Sequence, residues 1–580
     1  MDVRGQTFYP LILDLLTDIS EACFVAVDLE LSGVPSKQPG QNSSKNDDGK
    51  PSLEERYQEV KASAERYQIL QIGLTCVKED VGGGKYILKP YNFDLNPLID
   101  GRGLDIERIF CFQSGAVEFL LRNGFDLSRP FHHGVPYLTR AEADEAREKL
   151  LRRQDRNNIN DIHVKPTETE SLAFLERVRR LIQDWVDSSQ PETPEYVNIS
   201  AILVIDPNTG EEYMPDLSRL EKRLVHQLVR AEFSKLVTIS KRGYIQIIRF
   251  DKQREDKIIA ARKRELEERI VKQTGFRWIV EALRGGKVPD LDLRQCAADP
   301  VTGEQSGFVD IDGYRARFAR ARGKLRRDPR TLVGHNCFLD LIYLYHTFLG
   351  PLPDTVAEFQ RKLHRAWPRI VDTKYMSTHN CGDINPVSSL EQIAQQLSHL
   401  QRPVLEIDAK HRKYAGQDAL HEAGYDSFLT AQIAVRLSAK LNSEGTYIEV
   451  GGADQAREQP PQNGNPTTTT DADLVDKLGD VKLTKPTTPD TNSAPPGFTP
   501  SDPLASDHNW TRKGDPSLPP RDPNDLFTRR AAEQGTSHAS GPAIEGGMPR
   551  DDSDFWRVYG NKLRVFGTSE SVCVLGEEAA

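Results

Sequence analysis

An apolar run in this chain ends in two carboxylates spaced one residue apart: Phe24-Val25-Ala26-Val27-Asp28-Leu29-Glu30-Leu31. In a strand, alternate side chains share a face, so Asp28 and Glu30 point the same way. The apolar lead-in has the character of a strand buried on both faces. Two like charges there repel each other unless a cation lies between them, which is the requirement for a divalent-metal site. Alone, the pattern equally fits the polar face of an edge strand. Three further residues are candidate partners. Asp340 follows Gly334-His335-Asn336 in an otherwise apolar helical turn, where a first-turn acid favoured by the helix dipole would be ordinary. Asp426 opens another apolar helix, and His421 stands five residues before it. Five residues turn about 140° round a helix. His421 and Asp426 therefore reach one cleft if His421 lies ahead of the helix proper, with Gly424 permitting the bend.

Taken together, Asp28, Glu30, Asp340 and Asp426 are enough for two divalent ions. Such a pair clamps the attacking and leaving oxygens of a phosphoryl displacement. His421 titrates near neutrality and can take a proton from the attacking water. Oxygen ligands without cysteine favour Mg²⁺ or Mn²⁺ over zinc.

The elements that must position these groups read as an α/β fold. A helix over 8–20 feeds the strand of Asp28. Residues 35–52 have loop composition, 53–67 read as a helix, and strands follow over 68–77 and 85–93. A short strand and a helix (116–123) come next, then a charged helix over 140–157. Between 165 and 250 the order is helix (169–188), strand (199–205), helix (217–233) and an alternating strand pattern ending at Arg249, a small α/β module of its own. A long charged helix (256–274) leads back. Residues 313–330 carry a basic run, which is either a solvated linker or a phosphate-contacting surface. Beyond it lie a short strand at Leu332-Val333 and helices over 337–349, 356–366, 389–398 and 424–441. From 446 to 550 the composition turns to Pro, Thr, Asp, Gly and Ser, with too little apolar area to offset chain entropy, and reads as disordered. The end, Phe555 to Phe566, reads as a hairpin with a Gly560-Asn561 turn, and 572–575 as an added strand; an isolated hairpin is marginal, so this tail should dock.

Composition sets limits. The 580 residues exceed one core and imply two to four domains. With 76 basic and 86 acidic residues the formal charge is −10, so any nucleic-acid footprint must be local. Seven scattered cysteines without a Cys-x-x-Cys pair argue for a reducing compartment and against a disulfide framework or structural zinc. Neither a secretory signal nor a transmembrane run is evident, so an intracellular protein of nucleus or cytoplasm, without membrane, is expected.

The order Asp-x-Glu, Gly-His-Asn with a helix-borne Asp, then His-x-x-x-x-Asp resembles the DEDD 3′-to-5′ exonucleases of the His-containing subclass (DEDDh). Within them it is most similar to the CAF-type ribonucleases of the poly(A)-specific (PARN) and Triman-like branch, together with the small-RNA 3′ trimmers. The matching stretches are 25–33, 51–73, 113–138, 332–376 and 421–430. The resemblance implies a ribonuclease-H-like domain with a mixed sheet in two halves, 1–160 and 251–445. Between them, 165–250 would be a degenerate relative of the Arg-x-x-x-His nucleic-acid-binding module, with Lys222 and His226 nearest its motif. A linker (446–550) and a short β segment (551–576) would follow. It further implies Asp28, Glu30 and Asp426 on a first metal ion, Asp28 and Asp340 on a second, His421 as general base, and Lys374 and Phe110 near the RNA. The reaction would be hydrolysis of single-stranded RNA from a free 3′-hydroxyl, giving 5′-mononucleotides, by a deadenylase or small-RNA trimmer that dimerises. Leu31 departs from the family, which commonly has Phe there; a base-stacking contribution of roughly 1–3 kcal/mol would be absent, and adenine preference is not implied. No cap-binding domain is evident after 446. Two alternatives are an inactive RNA-binding protein of the same fold and a DNA 3′ exonuclease.

Overall fold

The computed structural model describes residues 1–35, 50–99, 101–154, 162–188, 194–205, 211–288, 291–299, 304, 309–416, 418–448 and 541–576. Most of the Pro/Ser/Asn-rich loop at 35–52, and 449–540 of the stretch expected to be disordered, lie outside them. The chain forms two compact units. One is Met1–Ile99 with Glu107–Arg140 and Gln273–Ala580; the other is Asp100–Ile106 with Ala141–Lys272.

The first unit opens with β1 (Asp2–Val3), the helix Gly5–Glu21, β2 (Phe24–Leu31), the helix Leu53–Ala64, β3 (Ile69–Asp80), β4 (Lys85–Asn96) and β5 (Val135–Pro136). β2, β3 and β4 are an antiparallel meander, and β2 is buried along its whole length. Its side chains alternate between two cores. Val25, Val27, Leu29 and Leu31 join the core that includes Phe8, Ile12 and Leu15 of the first helix. Phe24 and Ala26 join the core of the helix Ala423–Glu444. Asp28 and Glu30 continue this second face. The segment 107–112, expected to hold a strand, makes a lone bridge from Cys111 to Tyr67 before the helix Ser114–Arg122.

The second unit contains β6 (Tyr196–Ile199), β7 (Val204–Ile205), β8 (Glu212–Tyr213), β9 (Leu236–Ser240) and β10 (Ile245–Arg249). β6, β10 and β9 make a three-stranded antiparallel sheet. The helices Thr169–Asp187 and Arg219–Glu232 share its core through Val178, Ile182, Val225 and Val229. The apolar run 199–205 is not one strand: β6 ends at Ile199, and Val204–Ile205 pair with β8 instead. This unit is larger than the expected 165–250 module. Helical residues before and after it belong here, with Arg147 bridging Glu267 at 2.8 Å.

The chain returns to the first unit for β11 (Thr331–Gly334), β12 (Ile370–Asp372), β13 (Val404–Ile407), β14 (Lys562–Arg564) and β15 (Val572–Val574). The main sheet runs β1-β4-β3-β2-β11-β12, with β5 and β13 also pairing to β4. β2, β11 and β12 are parallel. The basic run at 313–330 is not a linker. It forms the helix Ile311–Arg327, which buries Phe318, Ala321 and Leu325 and ties to the first helix through Arg317 and Asp14 at 2.6 Å.

At the C-terminus, Phe555–Tyr559 is a helical turn, not the first arm of a hairpin. A five-residue run can satisfy either period. Here Phe555 and Tyr559, four apart, bury one face together with ring centroids 4.6 Å apart. The hairpin is β14 with β15. The tail does dock: Gly560 bridges Val371 of the edge strand, and Ile544 is buried.

Candidate active site

The end of β2 is shaped by what β3 omits. Asp28 lies opposite Gly73. A Cβ on Gly73 would overlap the Ala423 carbonyl oxygen, so this glycine lets the first turn of the 423–444 helix rest on bare strand backbone. The first amides of that helix need acceptors, and two strand side chains supply them. Gln71 Oε1 accepts from Ala423 N–H and Asn92 Oδ1 from Gly424 N–H, each at 3.0 Å. Asn92 Nδ2 donates to Glu422 Oε1 at 2.9 Å, and the Lys413 ammonium pairs with the same carboxylate. One turn on, Ser427 and Thr75 join their hydroxyls at 3.0 Å.

This clamp fixes the rotation of the helix, and with it Asp426 in the first turn. One ligand oxygen from each of Asp28, Glu30 and Asp426 lies within 4.8 Å of the others. The three residues are 6, 9 and 8 % exposed. Three carboxylates this close repel one another, and a cation between them offsets that repulsion. The set is all hard oxygen, which suits a divalent ion of the Mg²⁺ or Mn²⁺ kind.

His421 stands just ahead of the helix in the left-handed region, at φ 64°. The bend expected at Gly424 is therefore made by His421 itself. Gly424 is helical and serves close packing, because a Cβ there would lie 2.7 Å from Asn92 Cβ. The His421 ring meets the edge of Phe119, centroids 4.8 Å apart at 75°.

Asp340 is 1 % exposed in the first turn of the helix Phe338–Leu344, and it is not part of the three-carboxylate cluster. Its helix follows β11, the parallel neighbour of β2. The Gly334-His335-Asn336 turn is held by the next strand. Asn336, at φ 52°, donates its N–H to Asp372 Oδ1 at 2.8 Å. The His335 Nδ1 meets Thr373 Oγ1 at 2.8 Å. Burial pushes the Asp372 carboxyl up to about 6, opposed by amide donors from Arg564, Asn336, Lys374 and Tyr375.

The remaining sequence candidates sit as follows. Lys374 is 4 % exposed, its ammonium donating to the Ser388 carbonyl at 2.7 Å. Leu31 follows a bulge in β2 and is buried in the core on the first-helix side, where it is not presented as a stacking surface. Phe110 stacks on Phe131 at 6.0 Å, in a group with the partly exposed Phe112. Its segment is fastened beside the end of β2: Ser32 Oγ donates to the Cys111 carbonyl at 2.8 Å and Gln113 N–H to the Ser32 carbonyl at 2.9 Å. Sequence reasoning missed Gly73, Gln71, Asn92, Glu422, Phe119 and Asp372. A glycine inside an apolar strand could have flagged Gly73; the others carry no local signal.

A family model described as CAF1 family ribonuclease matches residues 3–434. The chain belongs to that family. Its ribonuclease-H-like DEDD fold is the mixed sheet seen here. The poly(A)-specific ribonuclease PARN of Homo sapiens is 27% identical over 463 residues, covering 76% of this chain and 62% of that protein. The Danio rerio PARN is 25% identical over 449 residues, 76% of this chain and 60% of its own length. The pre-piRNA 3′-exonuclease trimmer of Bombyx mori is 23% identical over 448 residues, 75% of this chain and 71% of its own length. The chain thus spans about 60% of the length of the two PARN relatives. Among the described residues, no helix is long and apolar enough to cross a membrane.

Proposed function

We propose that this chain is a metal-dependent 3′-to-5′ exoribonuclease that removes 5′-mononucleotides from single-stranded RNA ending in a free 3′-hydroxyl. The observation that carries this reading is the buried cluster of Asp28, Glu30 and Asp426 with His421 immediately before the Asp426 helix. Asp28, Glu30 and Asp426 would hold one Mg²⁺ or Mn²⁺, and Asp340, at the same edge of the sheet, would help to hold a second. Such ions supply Lewis-acid stabilisation of the charge that develops on phosphoryl oxygens. His421 takes the proton of the attacking water. Its left-handed backbone and the Phe119 edge fix where the ring can reach.

The relatives' names, a poly(A)-specific ribonuclease and a pre-piRNA trimmer, support substrates of the mRNA-tail or small-RNA class. The buried Leu31 offers no ring to a terminal base, so we expect 3′-trimming without strong adenine preference. The second unit is proposed as an RNA-binding module. Its Lys222 and His226 are engaged internally, Lys222 with the Lys241 carbonyl at 2.9 Å and His226 with Thr238 and Ser240 at 2.6 and 3.0 Å. RNA contact would therefore fall to other cations of that unit. A homodimer, and action in nucleus or cytoplasm, follow the family.

Purified protein with Mg²⁺ and 5′-labelled RNA and DNA strands ending in each base tests the reading. Stepwise shortening of RNA, with similar rates for A, U, C and G, is expected. Folded protein that leaves all RNA intact would overturn the exoribonuclease reading; faster shortening of DNA would move it to a DNA exonuclease.

A further inference from the structure

We propose that Arg564, carried by the C-terminal segment, is a phosphate contact for the RNA strand; this rests on the exoribonuclease reading above. Arg564 lies beyond the residues that the family model matches, 3–434.

The first support is position. β2, β11 and β12 are parallel, so their C-terminal ends share one edge of the sheet, and open α/β sheets bind ligands outside such ends. Asp28 and Glu30 are at that end of β2. The C-terminal segment follows β12 toward the same edge. Asn561 N–H donates to the Ile370 carbonyl at 2.7 Å, and Ile370 N–H to Asn561 Oδ1 at 2.9 Å. Arg564 N–H then donates to Asp372 Oδ2 at 2.9 Å. β12 lies two strand spacings, about 10 Å, from β2, and Arg564 sits against its last residue, a few nucleotides along a bound strand.

The second support is the face. Leu563 and Val565 enter the core on the first-helix side, with Ile370 and Leu332. Alternation turns Arg564 to the opposite face, the face of Val333, Val371 and Ala26 that Asp28 and Glu30 continue.

The third support is charge. The Arg564 guanidinium lies over the Phe566 ring at 4.9 Å, and the Lys374 ammonium approaches the same ring at 5.3 Å. Arg564 Nε is buried and makes no hydrogen bond to any described residue. By contrast, Arg330 and Arg369, at the other ends of β11 and β12, both pair with Asp328, at 2.5 and 2.9 Å. No carboxylate among the described residues pairs with the Arg564 side chain. A guanidinium over a ring, with no carboxylate partner among the described residues, matches a phosphate group.

The test compares full-length wild type with Arg564→Gln and Arg564→Lys on a single-stranded RNA dodecamer and on a dinucleotide too short to reach Arg564. For Arg564→Gln we expect KM on the dodecamer to rise about three- to tenfold with kcat within about twofold, and the salt slope of RNA affinity to fall by about 0.7, the value for one phosphate on a single strand. Arg564→Lys should recover most of the KM, and the dinucleotide should be cleaved alike by all three. An unchanged KM and salt slope in Arg564→Gln would overturn the phosphate contact. So would an equal loss on both substrates that Arg564→Lys does not repair, since that is structural damage. Wild type that shortens neither RNA overturns the exoribonuclease reading itself, and the contact with it.

Discussion

Asp340 and Asp426 both sit in the first turn of a helix at the candidate site, yet they are placed by opposite means. Asp340 follows its strand directly: β11, a tight Gly-His-Asn turn with Asn336 at φ 52°, then the helix. Its support comes from the next strand, through Asp372. Asp426 reaches Asp28 and Glu30 on a helix that crosses β3 from far along the chain. Its support comes from Gly73, Gln71 and Asn92, some 330 to 350 residues earlier. Local chemistry places the first acid. A gap and two amide side chains on remote strands place the second, so it should be the more easily displaced.

The sharpest break in that contrast is Gly73→Ala. The new Cβ meets backbone, which cannot swing aside as a side chain can. We expect a stability loss of about 2–4 kcal/mol, in the range of overpacked interiors, and at least a hundredfold fall in turnover in protein that still folds. Thermal melts and single-turnover shortening of a 3′-hydroxyl RNA measure the two.

On the Asp340 side, the lever is Asp372. Its folded carboxyl titrates at about 6 against 3.8 for the ordinary group. The folded state therefore holds this proton more tightly than the unfolded chain, and the associated stability, full below pH 4, is lost as pH rises through about 6. Asp372→Asn removes the titration. The stability of the variant relative to wild type should rise by about 3 kcal/mol between pH 4 and pH 6.5, at 1.36 kcal/mol per unit. Denaturant melts across that window check it, and a flat difference would contradict it.

Asn92→Leu uncaps the Asp426 helix while keeping volume. A loss of about 1–3 kcal/mol is expected for the unpaired amide and the displaced Glu422. The half-saturating Mg²⁺ concentration should rise severalfold, because Asp426 loses its fixed rotation. Asn336→Ala, the mildest change, tests the local arm. An alanine at φ 52° costs about 1–2 kcal/mol, while Asn336→Gly should leave both stability and Mg²⁺ dependence close to wild type.

The same contrast explains what the sequence disclosed. β2 to β4, the long helices and the order of the four acids were legible because each depends on a local period or a short motif. His421 as the residue ahead of its helix was legible too, since five residues cannot share a helix face. What escaped was tertiary: the trans-caps Gln71 and Asn92, the bare backbone at Gly73, and the Asp372 node. Short runs were ambiguous for a physical reason. Phe555–Tyr559 is short and apolar enough to pass for a strand arm, and burial of Phe555 with Tyr559, four residues apart, chose the helix. The basic run at 313–330 was read by charge, while Phe318, Ala321 and Leu325, at helical spacing, decided its structure.

Whether the carboxylate cluster is a catalytic metal site is decided by a paired measurement on wild type and Asp426→Asn: Mn²⁺ binding by calorimetry, and release of mononucleotides from a 3′-hydroxyl RNA in Mg²⁺. Wild type should bind the ion and shorten the RNA, whereas Asp426→Asn, still folded and still able to bind RNA, should lose ion affinity by at least tenfold and turnover almost entirely. Full turnover in Asp426→Asn would contradict the metal-site reading.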